Sequence, residues 1–388
     1  MVHTDRDIRL VIAGGGTGGH VFPGIAVAEA LSAMTPLHVL WLGTGRQVEV
    51  EALAATPWTH RTLRVMPLKG TGIANKIKAV FTLPAASIRA MAWLKEFRPH
   101  VVFGVGGYVS GPVMLAARSF GVPAAIHEQN AVPGLANRMA ARFAEKIFIT
   151  YDESADYFRG AAVELTGNPV RRSIIMAGEP DRGVSGSTPT ILILGGSQGA
   201  AALNRIASAA IRTMWQSGRK INIIHQTGPD AEEEIREYYR KEGVDAEVRP
   251  FIRDMADAYH RSDLVISRAG ATTLAEITAL GKPSILIPYP YAADNHQEKN
   301  ARAMRDAGAS VMFREADIGA VRLAGEIESI VTDRMRLQSM AEAAYGLGRR
   351  DAATHIASEL MRLAGRAAQR QAGHKSGKEL NDRVLHRA

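Results

Sequence analysis

Twice in this chain a short, continuously apolar run ends in a glycine-rich turn and passes straight into a helical stretch. The first is Leu10-Val-Ile-Ala-Gly-Gly-Gly-Thr-Gly-Gly19 and the second is Ile191-Leu-Ile-Leu-Gly-Gly-Ser-Gln-Gly199. A strand with no polar face must be covered on both sides, the situation of a parallel sheet inside an α/β layer. Similar runs follow each of them. Ile8 to Ala13, Leu37 to Leu42, Val101 to Val105, Ala124 to Ile126 and Lys146 to Thr150 form one series of strands. Thr190 to Leu194, Ile221 to His225, Leu264 to Ser267 and Ser284 to Ile287 form a second. Stretches such as Pro23 to Met34, Ala201 to Gln216 and Ala231 to Glu242 carry helical spacing or composition between them. Alternating β and α predicts an α/β protein with two Rossmann-like, doubly wound parallel-sheet domains facing a cleft. The length of 388 residues, about twice a usual domain, agrees. A loop with Gly178, Pro180, Gly183, Gly186 and Pro189 separates the two series and places the boundary between residues 165 and 189.

Composition narrows the function. The chain has no cysteine, which excludes disulfides, thiolate metal sites and cysteine nucleophiles. Its net charge of +8 is local. Residues 1–165 carry +4, residues 166–365 are neutral, and 366–388 carry +4, while Lys69 to Arg98 alone holds six bases and one acid. Such a distribution argues for one anionic contact surface and against a broad nucleic-acid face. The polar stretch Met1 to Arg9 is not a signal peptide. Val101 to Ala117 lacks charge but is broken by Gly104, Gly106, Gly107, Gly111 and Pro112, so it reads as strand, turn and helix start rather than a membrane span. The tail, residues 365–388, is basic and poor in apolar residues and reads as disordered.

The candidate site residues cluster at the turns. Gly14, Gly16 and Gly19 fit G-x-G-x-x-G, yet no Asp or Glu occurs from Ala30 to Val48 to take a ribose, so a nicotinamide cofactor is disfavoured. The turn either packs only or aims main-chain amides at an anion or polar oxygen. His20 follows it directly and suits either a general base at neutral pH or a histidine packing the helix start. Gly195-Gly-Ser-Gln-Gly199 offers Ser197 and amides to phosphate oxygens and lacks the ending of a nucleotide-hydrolysing P-loop. In Ser267-Arg-Ala-Gly-Ala-Thr-Thr-Leu-Ala-Glu276, Gly270 to Thr273 read as a helix N-terminus fit for a diphosphate. Glu276, a turn further on, is either a ribose acceptor or a capping acid. Tyr108-Val-Ser-Gly-Pro112, His127-Glu-Gln-Asn130 and Gly167-Asn-Pro-Val-Arg171 add polar clusters at strand ends. The one Asp-x-Asp triplet, Asp5 to Asp7, precedes the first strand, so no metal or cofactor is expected. Lys69 to Lys95 mixes bases with Ile73, Ile77, Val80, Phe81, Leu83 and Trp93, which suits either docking on an anionic leaflet or a helix packed on its own domain.

Taken together, Gly14-Gly-Gly-Thr-Gly-Gly-His-Val-Phe-Pro23, Gly106-Gly-Tyr-Val-Ser-Gly-Pro112, His127-Glu-Gln-Asn130, Gly167-Asn-Pro-Val-Arg171, Gly195-Gly-Ser-Gln-Gly-Ala200 and Arg268 to Glu276 resemble the MurG family. These are the undecaprenyldiphospho-muramoylpentapeptide β-N-acetylglucosaminyltransferases of glycosyltransferase family 28, and the resemblance covers residues 8–360. It implies a GT-B fold with an N-terminal acceptor and membrane-docking domain (1–166), a C-terminal UDP-sugar domain (167–345) and a helix (346–364) returning to the first. It implies inverting transfer of N-acetylglucosamine from UDP-N-acetylglucosamine to the C4 hydroxyl of the muramoyl sugar of lipid I, giving lipid II for the cell wall. It further implies a peripheral place on the cytoplasmic face of the inner membrane, held through the Lys69–Lys95 region, in a cell-wall synthesis complex. Carried across by motif, the substrate contacts are Thr17, Gly18, Gly19, Asn130, Arg171, Ser197, Ile252, Ala271, Thr272, Thr273, Leu274, Ala275, Glu276 and Gln297. His20 is the first choice for the base and Glu128 the second, with helix N-termini, Ser197, Arg171 and Arg268 offsetting the charge of the departing diphosphate. A related transferase acting on diacylglycerol would share fold and docking. A nicotinamide-dependent reductase and a silent membrane scaffold are the readings from other classes.

Overall fold

In the computed structural model, residues 7–65, 73–178, 188–196 and 199–366 are described, without the side chains of 73–81 and 293. The chain divides into two compact units. The first holds the chain up to Gln129, Pro133–Gly167 and everything from Asp351 on; the second holds Asn130–Val132 and Asn168–Arg350.

The first unit is built on a seven-stranded parallel sheet. Its strands are β1 (Ile8–Gly14), β2 (Leu37–Gly43), β3 (Thr59–Thr62), β4 (Val101–Gly106), β5 (Ala124–Glu128), β6 (Lys146–Ile149) and β7 (Val163–Leu165), in the order β3-β2-β1-β4-β5-β6-β7. Helices α1 (Gly18–Ser32), α2 (Gln47–Ala54), α3 (Ile73–Phe97), α4 (Ser110–Ser119) and α5 (Leu135–Ala140) connect them. Alternate residues of each strand feed opposite faces. Leu10, Ile12 and Phe103 pack on Val21, Ile25 and Leu31 of α1, and Val11, Ala13 and Val102 pack on Ala90 and Leu94 of α3 and Val113 and Met114 of α4. The final helix, 352–366, lays Ile356, Leu360 and Leu363 on the α1 face. Lys146 bonds Glu359 at 2.6 Å and also pairs with Glu164, which His355 contacts in turn, so an ionic cluster ties this helix to β6 and β7.

The second unit repeats the plan with β8 (Thr190–Leu194), β9 (Asn222–Gln226), β10 (Ala246–Arg249), β11 (Leu264–Ser267), β12 (Ser284–Leu286) and β13 (Ser310–Met312), ordered β10-β9-β8-β11-β12-β13 and parallel throughout. Its helices are α6 (Arg172–Ala177), α7 (Ala201–Gln216), α8 (Glu232–Lys241), α9 (Met255–Arg261), α10 (Ala271–Leu280), α11 (His296–Asp306), α12 (Ala320–Thr332) and α13 (Arg334–Leu347). Ile191, Ile193 and Ile266 meet α7 and α12, while Leu192, Val265 and Leu286 meet α10. Burying one such aliphatic side chain contributes about 1.5–3 kcal/mol, which is why the inner strands tolerate no polar face.

The nine strands expected from the sequence are present with ends shifted by at most two residues, the largest shift being β5, which runs on to Glu128, and four more exist among the described residues. Those four, β3, β7, β10 and β13, are the outermost strands of the two sheets. The helix expected from Pro23 begins earlier, at Gly18, with Pro23 inside it. Among the described residues no helix is long and apolar enough to cross a membrane. Most of the expected disordered tail, from residue 367 on, lies outside the described residues, as do Lys69 and Ser197.

Candidate functional site

In each sheet the strand order reverses once, between β1 and β4 and between β8 and β11. Chains leaving such neighbours run to opposite sides and open a crevice at the carboxyl edge, where ligands of doubly wound sheets bind. The candidate residues gather at these two points.

In the first unit, Gly14 to Thr17 lead from β1 into α1. Thr17, extended at φ −141°, is the N-cap but its side chain caps nothing, and no acid sits in the first turn of α1. Gly18, Gly19 and His20 form that turn. The His20 Nδ1 lies 3.3 Å from the Gly15 carbonyl oxygen. A carbonyl only accepts, so Nδ1 carries the proton and Nε2 keeps its lone pair in the neutral ring. Burial lowers the His20 pKa below the usual imidazole value and the Gly15 bond raises it, burial being the larger effect. The ring therefore stays neutral through the physiological range while part of its surface remains accessible.

The end of β4 is shaped around this imidazole. A Cβ on Gly106 would fall 2.7 Å from His20 Cδ2 and 2.9 Å from Nε2, and one on Gly107 would fall 2.9 Å from the Gly15 oxygen. Both glycines have positive φ, +102° and +81°. Ser110 Oγ lies 3.0 Å from the carbonyls of Ala13 and Gly106 and accepts from the Gly106 amide at 3.2 Å, which ties β1 to β4. The Gly106-to-Pro112 cluster thus acts as a mould for His20.

His127 on β5 donates through Nε2 to the Gly167 carbonyl at 3.0 Å, and burial drives its pKa down to about 4 against that bond, which raises it. Glu128 is buried, and its Oε2 accepts from Asn137 at 2.8 Å and from the Gly134 amide at 3.3 Å. This carboxylate is engaged in closing the loop after β5. Asn130 groups with the second unit.

In the second unit, α7 and α10 start from the adjacent strands β8 and β11. Neither helix has a side-chain cap or an acid in its first turn. Two helix N-termini therefore present their partial positive charge at one sheet edge, an arrangement suited to an anion. Ala271, Thr272, Thr273, Leu274, Ala275 and Glu276 follow the extended N-cap Gly270. Arg171 Nη2 lies 3.3 Å from Glu276 Oε1, and the buried Tyr259 hydroxyl donates to Oε2 at 3.0 Å. Burial raises the Glu276 pKa, while Arg171 and Tyr259 oppose it. Asn168 reaches Thr272 Oγ1 at 3.5 Å.

Two expected donor contacts, Ile252 and Gln297, and the Arg268 expected to offset diphosphate charge have protein partners. The Ile252 amide donates to Gln226 Oε1 at 2.9 Å. Gln297 Oε1 accepts from the Tyr289 amide at 3.0 Å. Arg268 donates to the carbonyls of Ile287 (3.0 Å) and Pro288 (3.2 Å) and pairs with Glu315, so its charge is neutralised within the protein. Among the described residues no three His, Asp or Glu side chains converge as a metal site would require.

Sequence reasoning missed Glu49, Gln226 and Tyr259. Glu49 is the first acid after β2, lying just past the segment searched for a ribose-binding carboxylate, and its carboxylate sits beneath the glycine turn of β1. Tyr259 and Gln226 carry no local signal, since each is defined by a partner at least 17 residues away.

Comparison with known proteins agrees with this layout. The family model for the glycosyltransferase family 28 N-terminal domain matches residues 10–149, and that for the family's C-terminal domain matches 190–356. An N-acetylglucosamine transferase of Pelobacter propionicus, named for UDP-N-acetylglucosamine and N-acetylmuramyl-(pentapeptide) pyrophosphoryl-undecaprenol, is 42% identical over 375 residues, covering 91% of this chain and 99% of its own. The protein of the same name from Anaeromyxobacter sp. is 44% identical over 92% of this chain and 93% of its own. Among solved structures, MurG of Acinetobacter baumannii superposes with a TM-score of 0.70 at 30% identity, over 92% of this chain and 99% of that one.

Proposed function

The chain belongs to glycosyltransferase family 28, and from that premise we infer that it transfers N-acetylglucosamine from UDP-N-acetylglucosamine to the C4 hydroxyl of the muramoyl sugar of lipid I. The product is lipid II, the disaccharide precursor of peptidoglycan. The observation that carries this reading is the pair of uncapped helix N-termini, α7 and α10, on neighbouring strands beside the Arg171–Glu276–Tyr259 group. A sugar nucleotide needs both features, positive main-chain ends for a diphosphate and a fixed carboxylate for ribose hydroxyls.

In the proposed reaction the donor lies on the second unit, against Arg171, Ser197, Ile252, Ala271 to Glu276 and Gln297, with Asn130, Thr17, Gly18 and Gly19 completing its contacts. The acceptor sugar lies at the β1–β4 point of the first unit. His20 Nε2 takes the proton of the C4 hydroxyl as its oxygen attacks the anomeric carbon. The bond from that carbon to the β-phosphate oxygen breaks, its electron pair leaves with UDP, and configuration inverts. Charge building on the diphosphate is met by the N-termini of α7 and α10, fixed dipoles that need no reorientation during the step. No bound cation enters this scheme.

Peripheral docking on the anionic inner face of the cell membrane, within a cell-wall synthesis complex, completes the proposal. Its support is α3, where Ile88 is 68% exposed beside Arg89, whose guanidinium lies over the Trp93 ring at 5.5 Å. An exposed apolar side chain beside a base suits an anionic leaflet. The decisive assay offers labelled UDP-N-acetylglucosamine with lipid I or diacylglycerol, with and without chelator. Transfer to lipid I that survives chelator is the expected result. Transfer only to diacylglycerol, or loss of all turnover in chelator, refutes the reading.

A further inference from the structure

The carboxylate beneath the first glycine turn has no part in the scheme above, yet both of its oxygens are engaged by protein donors. Glu49 is fully buried at the start of α2. Its Oε2 accepts from the amides of Gly16 (3.3 Å) and Thr44 (3.0 Å) and from Thr44 Oγ1 (2.9 Å). Its Oε1 accepts from the Gly45 amide (3.3 Å) and lies 2.7 Å from His60 Nε2. The surroundings are built to admit it. A Cβ on Gly15 would fall 2.2 Å from Oε2, and one on Gly43 would fall 1.5 Å from Oε1. Burial raises the Glu49 pKa, but His60, Thr44 and Gly45 together outweigh it, so the carboxyl stays ionised at neutral pH.

The Gly16 N–H held by Glu49 and the Gly15 C=O that receives His20 Nδ1–H belong to one peptide group. We propose that Glu49 is a positioning residue for His20, orienting and polarising the imidazole through the Gly15–Gly16 peptide. The proposal rests on the reading of His20 as base. An anion on the N–H end draws electron density toward the carbonyl oxygen and strengthens the bond that oxygen accepts. The Gly15 oxygen then holds Nδ1–H, fixes the tautomer that leaves Nε2 open, and stabilises the imidazolium formed on proton transfer. A carboxylate bonded directly to a catalytic imidazole acts in the same way. The other ionisable groups facing this unit are His127 from β5, His60 from β3 and Arg46, whose Nη1 donates to the Gly16 carbonyl at 3.3 Å.

The test uses the full chain with 15N-labelled histidine. In the unmodified protein above its titration, His20 is expected as the Nδ1–H tautomer; finding Nε2–H overturns the proposal and needs no variant. Glu49→Gln keeps the shape and removes the charge. It is expected to lower the His20 midpoint by about half a pH unit and kcat by about tenfold, leaving the donor KM within about twofold. A folded Glu49→Gln chain whose His20 titrates as before overturns the coupling. His20→Ala separates the two ideas. If it keeps full turnover while the Glu49→Gln shift is seen, the base reading fails and the coupling stands. If it is inactive while no shift is seen, the base reading stands and the coupling fails.

Discussion

Arg171 Nη2 and Glu276 Oε1 stand 3.3 Å apart at the carboxyl edge of the second sheet, with the Arg171 side chain 17% and the Glu276 side chain 7% exposed. A pair so enclosed has paid desolvation on both charges, so its net stabilisation is small while the loss of one partner alone costs much more. Arg171 works against the pKa rise that burial imposes on Glu276, and in the proposed function it keeps this carboxyl placed for the ribose hydroxyls. Glu276→Gln is therefore expected to raise the KM for the UDP-sugar by about tenfold, the effect of one charged hydrogen bond, with a smaller change in kcat. Steady-state kinetics at varied donor checks this. A drop in melting temperature with the donor KM unchanged would make the pair purely structural.

His20→Ala is expected to lower kcat by about 10²–10⁴ while UDP affinity by calorimetry stays the same. The pH profile carries the same claim. Because burial lowers the His20 pKa, the neutral base persists below the usual imidazole midpoint, and activity falls only as pH drops through that lowered value. An acid limb above pH 6.5 would exclude His20 as its source.

Stability should respond to acid through two other histidines. Burial lowers His127 to about 4 and His225 to about 3, from 6.5 when unfolded. The unfolded chain then binds more protons below 6.5, so the stability these residues contribute is complete above that pH and declines toward the folded values. Urea midpoints measured from pH 7 to pH 4.5 should fall, and His225→Phe should flatten part of the decline. His225 bonds Asn204 Oδ1 at 3.2 Å and the Tyr239 hydroxyl lies 3.0 Å from its Nδ1, so that variant also starts from lower stability, by about 1–3 kcal/mol for the groups left unpaired.

Gly106→Ala tests the mould around the imidazole. Its methyl group would meet the His20 ring inside 3.0 Å, on a backbone at φ +102°. The expected outcome is a loss of about 1–3 kcal/mol in stability, the range for such strain, together with a fall in kcat comparable to that of a misplaced base. Gly111→Ala is the control, since nothing lies within 4 Å of its Cβ position.

The inner strands were legible because each puts apolar residues on both faces of its sheet, in runs such as Val101–Val105 and Ile191–Leu194. The four edge strands were not. Thr59–Thr62 and Ala246–Arg249 mix polar and charged residues, since an edge strand keeps one side in water and pairs only once. The glycine turns and His20 could likewise be read from sequence, as could the start of α10. Glu49 escaped because its role depends on a contact 33 residues away in the chain, and Tyr259 because a tyrosine in a short helix gives no hint of its carboxylate partner. Pro23 misled for a local reason: proline favours a first helical turn, but here it lies inside a helix opened by glycines.

The strand count of the first unit is complete by Leu165, but its covering layer is finished only by residues 352–366. In chain terms the second unit is an insert spliced into the first. A single break near residue 167 would leave the amino-terminal piece with Leu10, Ile12 and Phe103 partly uncovered and the carboxyl-terminal piece trailing a helix made for another surface. Exchanging the second unit for that of a relative therefore requires two junctions, one at Gly167–Asn168 and one at Arg350–Asp351.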